Sequence, residues 1–167
     1  MIKRSGLPGQ TLSGGVNFVN SVKQFHNEYN WLSNFYENPV TYKGLTYSSS
    51  ETAYQAHKSL DIKLHQEFVK LSPKESKKLG QKIKKRDDWD KIKVSVMYDI
   101  IVEKFSDKIL REKLLNTGDD RLIEGNWWHD CYWGHCYCVN CIGYTKNNFL
   151  GKILMLIRER IRSHYIK

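Results

Sequence analysis

Between Asp88 and Phe105 the apolar side chains Trp89, Ile92, Val96, Met97, Ile100, Ile101 and Phe105 recur every three or four residues. That spacing puts them along one stripe of an α-helix capped by Asp88, and so broad a stripe has to be buried against other elements. A second stripe, Leu150, Ile153, Leu154, Ile157 and Ile161, predicts a closing helix over 149–161. With 167 residues, 40% of them hydrophobic, the chain has apolar surface for one core and little for a second. No apolar run approaches the roughly 20 residues of a membrane span.

The rest of the chain supplies partners for these helices. Residues 1–21 are rich in Gly, Ser and Asn, show no periodicity, and read as a flexible lead before a domain over 22–167. The start has no apolar signal segment, so a cytoplasmic location and no membrane partner are expected. Residues 25–36 mix aromatic and polar side chains as a buried, shaped loop would. Residues 39–47 read as a hairpin turning at Lys43-Gly44. Ser48 followed by Glu51 has the spacing of a capping box, opening a helix to about Ser59. A further helix is expected over 63–71. Ser72-Pro73-Lys74-Glu75 repeats the start signal for one reaching about Ile83. Asp107 to Leu115 forms a short helix stopped at Thr117-Gly118, and Arg121 to Glu124 reads as a strand. The sum is an α+β chain, mainly helical, with a small β-sheet.

Several residues could carry chemistry. Glu51, Tyr54, Gln55 and Lys58 share one stripe of the helix opened by Ser48. Glu51 and Lys58 stand roughly 10 Å apart along the axis, at 1.5 Å per residue, a span that straddles a ribose. A carboxylate at a helix N-terminus is favoured in its ionised form, which suits a general base. Glu51 could equally do no more than close its capping box. Lys58 is either a solvated surface lysine or a desolvated amine able to attack a sugar C1 and form a Schiff base. In Trp127-Trp128-His129-Asp130-Cys131-Tyr132-Trp133, an acid sits among aromatics. Such a segment is either core or a stacking pocket in which Asp130 meets a ribose or an oxocarbenium-like centre.

All four cysteines lie between Cys131 and Cys141. Cys136, Cys138 and Cys141 have metal-ligand spacing, with His129, Cys131 or His135 near enough to complete a tetrahedral zinc site. Such a zinc would be structural, because no open position is evident, and buried inert thiols are the other reading. The net charge is +9, and ten basic residues fall between Lys70 and Lys93. These form either a solvated helix face or a surface that tracks phosphates.

Five segments together carry a resemblance: Leu32-Ser33-Asn34-Phe35-Tyr36; Tyr47 with Glu51, Tyr54, Gln55, Ala56 and Lys58; Trp89; Asp130 with Tyr132, Trp133 and Gly134; and Asn148 with Leu150, Gly151, Lys152, Leu154 and Met155. In order and spacing, over about residues 25–162, the chain resembles the NADAR (YbiA-like) family. The resemblance implies a mainly helical α+β fold and an N-glycosidase acting on phosphorylated ribose. The substrate would be ADP-ribose on guanine in DNA or a phosphoribosyl-amine intermediate of riboflavin synthesis. The first, an antitoxin-like reversal that pairs the chain with an ADP-ribosyltransferase toxin, is favoured by the +9 charge. By the same resemblance Glu51, Lys58 and Asp130 are catalytic, without a catalytic cofactor. Ser33, Asn34, Phe35, Tyr54, Gln55, Trp89, Trp133 and Asn148 bind substrate. Variability of the cysteine segment within the family favours a structural role for it and implies His129 as the fourth ligand, with Cys131 spare. Two readings of other classes stand beside these: a non-catalytic sensor of ADP-ribose or an NAD-derived ligand, and a basic nucleic-acid-binding domain with a zinc knuckle.

Overall fold

A computed structural model describes residues 20–165. It begins with strand β1 (Ser21–Val22) and a 3-10 helix over Asn27–Leu32. The hairpin strands β2 (Val40–Tyr42) and β3 (Leu45–Tyr47) follow, then helices α1 (Ser50–Ala56), α2 (Ile62–Phe68), α3 (Pro73–Gly80), α4 (Trp89–Lys104) and α5 (Lys108–Asn116). The short strands β4 (Arg121–Leu122), β5 (Gly125–Asn126) and β6 (His135–Cys136) precede the last helix, α6 (Phe149–Tyr165). The chain is α+β and mainly helical. In place of one small sheet there are three two-stranded ladders, β1–β4 and β5–β6 parallel and β2–β3 antiparallel. Most of the lead lies outside the described residues. Ser21, its last residue, pairs with Arg121 and belongs to the folded unit.

The hairpin turns where expected. Lys43 and Gly44 both have positive φ, 49° and 82°, as a two-residue turn matching the strand twist requires. The capping box at Ser72 is present: its hydroxyl accepts from Glu75 N, and Glu75 Oε2 accepts from Ser72 N at 2.9 Å. Two other helix starts differ from expectation. Ser49, not Ser48, caps α1 through Thr52 N at 3.1 Å, while Ser48 Oγ donates to Leu71 O at 2.7 Å. Asp88 makes no capping bond, because Arg86 beside it takes both carboxylate oxygens. An ion pair two residues away outcompetes the weaker hydrogen bonds of a cap.

The core forms where the two apolar stripes meet. Val96, Met97, Ile100 and Ile101 of α4 and Leu150, Ile153, Leu154 and Ile157 of α6 are buried, and α1 and the hairpin pack on the other side of α4. Ile92 and Ile161 are only partly buried at its edge. Arg158 of α6 is also enclosed, its Nη1 donating to Thr117 Oγ1 at 2.7 Å and Asp120 O at 2.9 Å, which ties α6 to the end of α5. No helix among the described residues is long and apolar enough to cross a membrane.

Candidate active site

The cleft begins with α1. Its residues are all buried, because the helix runs between the hairpin, α3 and α4. Glu51 is therefore inside the protein, 7% exposed, instead of at a solvated helix end. The 25–36 loop serves its first turn: Asn34 O accepts from Glu51 N at 3.0 Å. Glu51 Oε1 accepts from Gln55 Nε2 at 2.7 Å. Burial raises the Glu51 carboxyl above its ordinary range, against the opposing pull of the Gln55 hydrogen bond and of Lys77 and Lys58; Asp130 pushes it further up. Desolvation thus works against the ionised form that a helix terminus favours.

Glu51, Tyr54, Gln55 and Lys58 line one cleft of about 930 Å³ together with Ser33, Asn34, Phe35, Trp89, Asp130 and Trp133. Ten of the eleven residues expected in catalysis or substrate binding are thereby brought together. Lys58 stands just past the end of α1, half-buried, with Nζ 3.4 Å from Gly80 O and 5.8 Å from the centre of the Tyr54 ring. Burial lowers its pKa to about 8, with Glu51 opposing and Lys85 and Lys77 assisting. Gly80 also makes room for Gln55: a Cβ there would run into the Gln55 side chain.

Trp89, Tyr54 and Trp133 form an aromatic back wall, with ring centres 5.0 Å apart between Tyr54 and Trp89 and 5.4 Å between Tyr54 and Trp133. Trp89 is buried in that wall, whereas Trp133 is only partly buried and Trp128 is exposed at the rim. The latter two, not Trp89, offer a face to a base. At the mouth stand Lys77, with Nζ 5.2 Å over the Phe35 ring, Lys85, and Lys93, 4.4 Å over Tyr132 and 2.8 Å from Asp90. Part of the basic run therefore borders the cleft.

Asp130 lines the same cleft from the loop before Tyr132. Its Oδ1 accepts from Tyr132 N at 3.0 Å and Trp133 N at 2.8 Å, and Asn126 brackets its backbone through Asp130 N and O. Asn148 is the eleventh residue, and it does not line the cleft. It is buried with φ 49°, and its amide bridges Glu124 N at 2.9 Å and Leu122 O at 2.9 Å. Its role is to hold the strand end that carries Glu124.

Glu124 was missed in the sequence, where it read only as the last residue of a strand over 121–124. It lines the cleft, and its Oε2 is enclosed with no hydrogen-bond partner among the described residues. Burial raises its pKa to about 8, helped by Asp130 and Glu51 and opposed by Lys104. Lys104, buried in α4, donates to Ser33 O at 2.7 Å, and burial lowers its pKa to about 7. Only their tertiary neighbours mark these two as unusual, so sequence spacing held no signal for either.

Close to Asp130 is the thiol cluster. The ligand atoms of His129, Cys136, Cys138 and Cys141 all lie within 4.8 Å of one another. Cys131 and His135 fall outside that group, and the His135 ring packs instead on Tyr137 at 4.6 Å.

Comparison with known proteins agrees with the arrangement. The NADAR domain model matches residues 18–162. A riboflavin biosynthesis protein of Vibrio vulnificus is 35% identical over 138 residues, 80% of this chain but 36% of that protein, so the chain spans about a third of its length. The N-glycosidase YbiA of Escherichia coli K12 is 34% identical over 80% of this chain and 82% of its own, and an N-glycosidase of Nostoc punctiforme is 34% identical over 81% and 87%. The NMR structure of E. coli YbiA superposes with a TM-score of 0.73 at 30% identity, covering 89% of this chain and 92% of that one. With a family model over most of its length and relatives at this identity, the chain belongs to the NADAR family.

Proposed function

We propose that the chain is an N-glycosidase that hydrolyses the bond between a ribose C1 and a nitrogen, and that its substrate is ADP-ribose on guanine in DNA. The observation that carries the reading is the convergence in one cleft of a buried Glu51, whose burial favours its protonated form, a half-buried Lys58 and Asp130, beneath a lysine-bordered mouth. In such a site the ribose lies between Glu51 and Asp130. The C1–nitrogen bond breaks with its electron pair going to the leaving nitrogen, and Glu51 supplies the proton that nitrogen needs. Asp130 faces the cationic C1, as carboxylates do in glycoside hydrolysis. The Lys58 amine bonds to C1. After the sugar ring opens, water hydrolyses the Schiff base, restoring the amine and leaving oxygen on C1. The lysines at the mouth meet phosphates, and Trp128 and Trp133 offer faces to a base.

A second substrate, a phosphoribosyl-amine of riboflavin synthesis, is favoured by the name of the Vibrio vulnificus relative. Incubation with a guanine-ADP-ribosylated oligonucleotide and, separately, with the phosphoribosyl-amine decides between them by mass spectrometry. Release of ADP-ribose from the oligonucleotide supports the proposal, and cleavage of the small substrate alone replaces it with the second reading. Binding without cleavage of either leaves a sensor. Borohydride added during turnover tests Lys58, since reduction of a Schiff base leaves a permanent ribosyl adduct on that residue. Turnover without adduct makes Lys58 a contact to ribose or phosphate.

A further inference from the structure

The segment from Asn126 to Cys141 contributes Trp128, Asp130, Tyr132 and Trp133 to the cleft. It has little regular structure: the end of β5, the two-residue β6 and a single 3-10 turn at Val139–Cys141. Several of its large side chains face solvent: Trp127 is 53% exposed, Trp128 54% and Val139 77%. Tyr132 and Trp133 pack on Phe149, and backbone hydrogen bonds tie the loop to residues 147–150. The stretch around His129 and Cys138, however, gains little from hydrophobic burial and is where a further interaction would add order.

The thiol cluster has the geometry to do so. Cys136 Sγ and Cys138 Sγ are 3.2 Å apart; His129 Nδ1 is 3.1 Å from Cys138 Sγ and 3.6 Å from Cys141 Sγ. A tetrahedral zinc with bonds of about 2.3 Å to sulfur and about 2.0 Å to nitrogen needs ligand edges of roughly 3.5–3.8 Å. The three separations lie within a few tenths of an ångström of those lengths, and all six fall within 4.8 Å, so the four atoms are close enough to be drawn onto one ion. The sulfur–sulfur distance is far beyond the roughly 2.05 Å of a disulfide.

The backbone is arranged around the same point. Cys138 N lies 3.5 Å from Cys136 Sγ in donor geometry, as amides do toward metal-bound thiolates, and Cys141 N donates to Cys138 O at 3.1 Å in the turn that brings the third sulfur round. His129 adopts φ 67°, a left-handed conformation that is unfavourable for a non-glycine residue and persists where the surroundings enforce it.

We infer that His129, Cys136, Cys138 and Cys141 form a structural zinc site that holds the loop wall of the cleft in place. The chain neighbours of His129 are Trp128 and Asp130, and both line the cleft. Fixing the imidazole on a metal fixes these two residues as well, and Asp130 presents its carboxylate from that anchored backbone. All four positions are filled by protein, so the metal takes no part in substrate chemistry. On binding, the three thiols become thiolates and give up about three protons to solvent. The site does not depend on which substrate the cleft takes.

The test uses the full chain purified under reducing conditions without chelator. Elemental analysis is expected to find one zinc per chain, and cobalt exchanged for it to show an intense thiolate charge-transfer band with tetrahedral visible bands. Cys131→Ser and His135→Asn should retain one metal. Cys138→Ser and Cys141→Ser should bind at least tenfold more weakly. Should those variants fail to fold, chelator titration of the wild type with a chromophoric zinc indicator gives the stoichiometry directly. Wild type without stoichiometric metal, four alkylatable thiols included, overturns the site. Hydrogen exchange tests the anchoring: removing the metal should accelerate exchange in residues 126–141 and leave α4 and α6 protected. Metal removal that leaves exchange of the loop unchanged overturns the clamp.

Discussion

The two walls of the cleft are built in opposite ways. Glu51, Tyr54 and Gln55 stand on a helix enclosed by the hairpin, α3 and α4, so the packing that stabilises the fold also fixes their positions. Glu124, Asp130 and Trp133 stand on a segment of two-residue strands and turns, held by the amides of Asn126 and Asn148 and, by our inference, by a metal. A helical wall can shift little without disturbing the core. The loop wall is stabilised by a few polar contacts, and each of them is exposed to a single substitution.

The contrast can be broken first at Glu51. Glu51→Gln removes the proton donor while keeping shape, and the rate of ribose–nitrogen cleavage should fall roughly 10²–10⁴-fold, the range for a lost general acid, measured in single turnover. Next, on the helical wall, Gly80→Ala drives a methyl group into Gln55. Thermal or denaturant unfolding should show about 1–3 kcal/mol of destabilisation from overpacking, with loss of cleavage because Gln55 holds Glu51. On the loop wall, Asn148→Ala leaves Glu124 N and Leu122 O without their partner. A cost of about 1–3 kcal/mol for these groups is expected, with faster hydrogen exchange at 122–126.

The smallest expected effect is a pH dependence. Glu124 is raised from 4.5 to about 8, so the folded state keeps a proton that the unfolded chain has lost. Its contribution to stability is full below 4.5 and falls as pH rises toward 8. Lys104 is lowered from 10.5 to about 7, so the unfolded chain binds the extra proton and stability rises from about 7 to 10.5. The two opposite slopes place a shallow minimum of their joint contribution between 7 and 8. Melting temperature against pH for wild type and Glu124→Gln checks this. The variant should lose the descending limb and keep the ascending one.

Much of the helical wall was legible in the sequence because hydrophobic periodicity reports burial directly. The stripes at 89–105 and 149–161 became α4 and α6, and the cluster Glu51, Tyr54, Gln55 and Lys58 came together as its spacing implied. What the periodicity could not convey was the depth of α1. The helix terminus alone argued for an ionised Glu51, and the burial of that first turn works against it. The cap moved from Ser48 to Ser49 because Leu71 O, a partner 23 residues away, claims the Ser48 hydroxyl. On the loop wall the informative signal was residue type alone. Cysteine spacing pointed to three ligands, and the family resemblance to His129 as the fourth; these four do converge, while Glu124 and Lys104 became unusual only through neighbours distant in the chain. Asn148 was placed in the ligand site by resemblance, and its buried amide instead supports the backbone behind it.

The most direct test of the account is the single-turnover cleavage rate of wild type against Glu51→Gln, on guanine-ADP-ribosylated DNA and on the phosphoribosyl-amine, with both proteins shown to be equally folded by circular dichroism. The account predicts cleavage of one of these by wild type and a loss of at least 10²-fold in the variant. Equal rates for the two proteins would contradict it, since the chemistry would then lie outside this cleft.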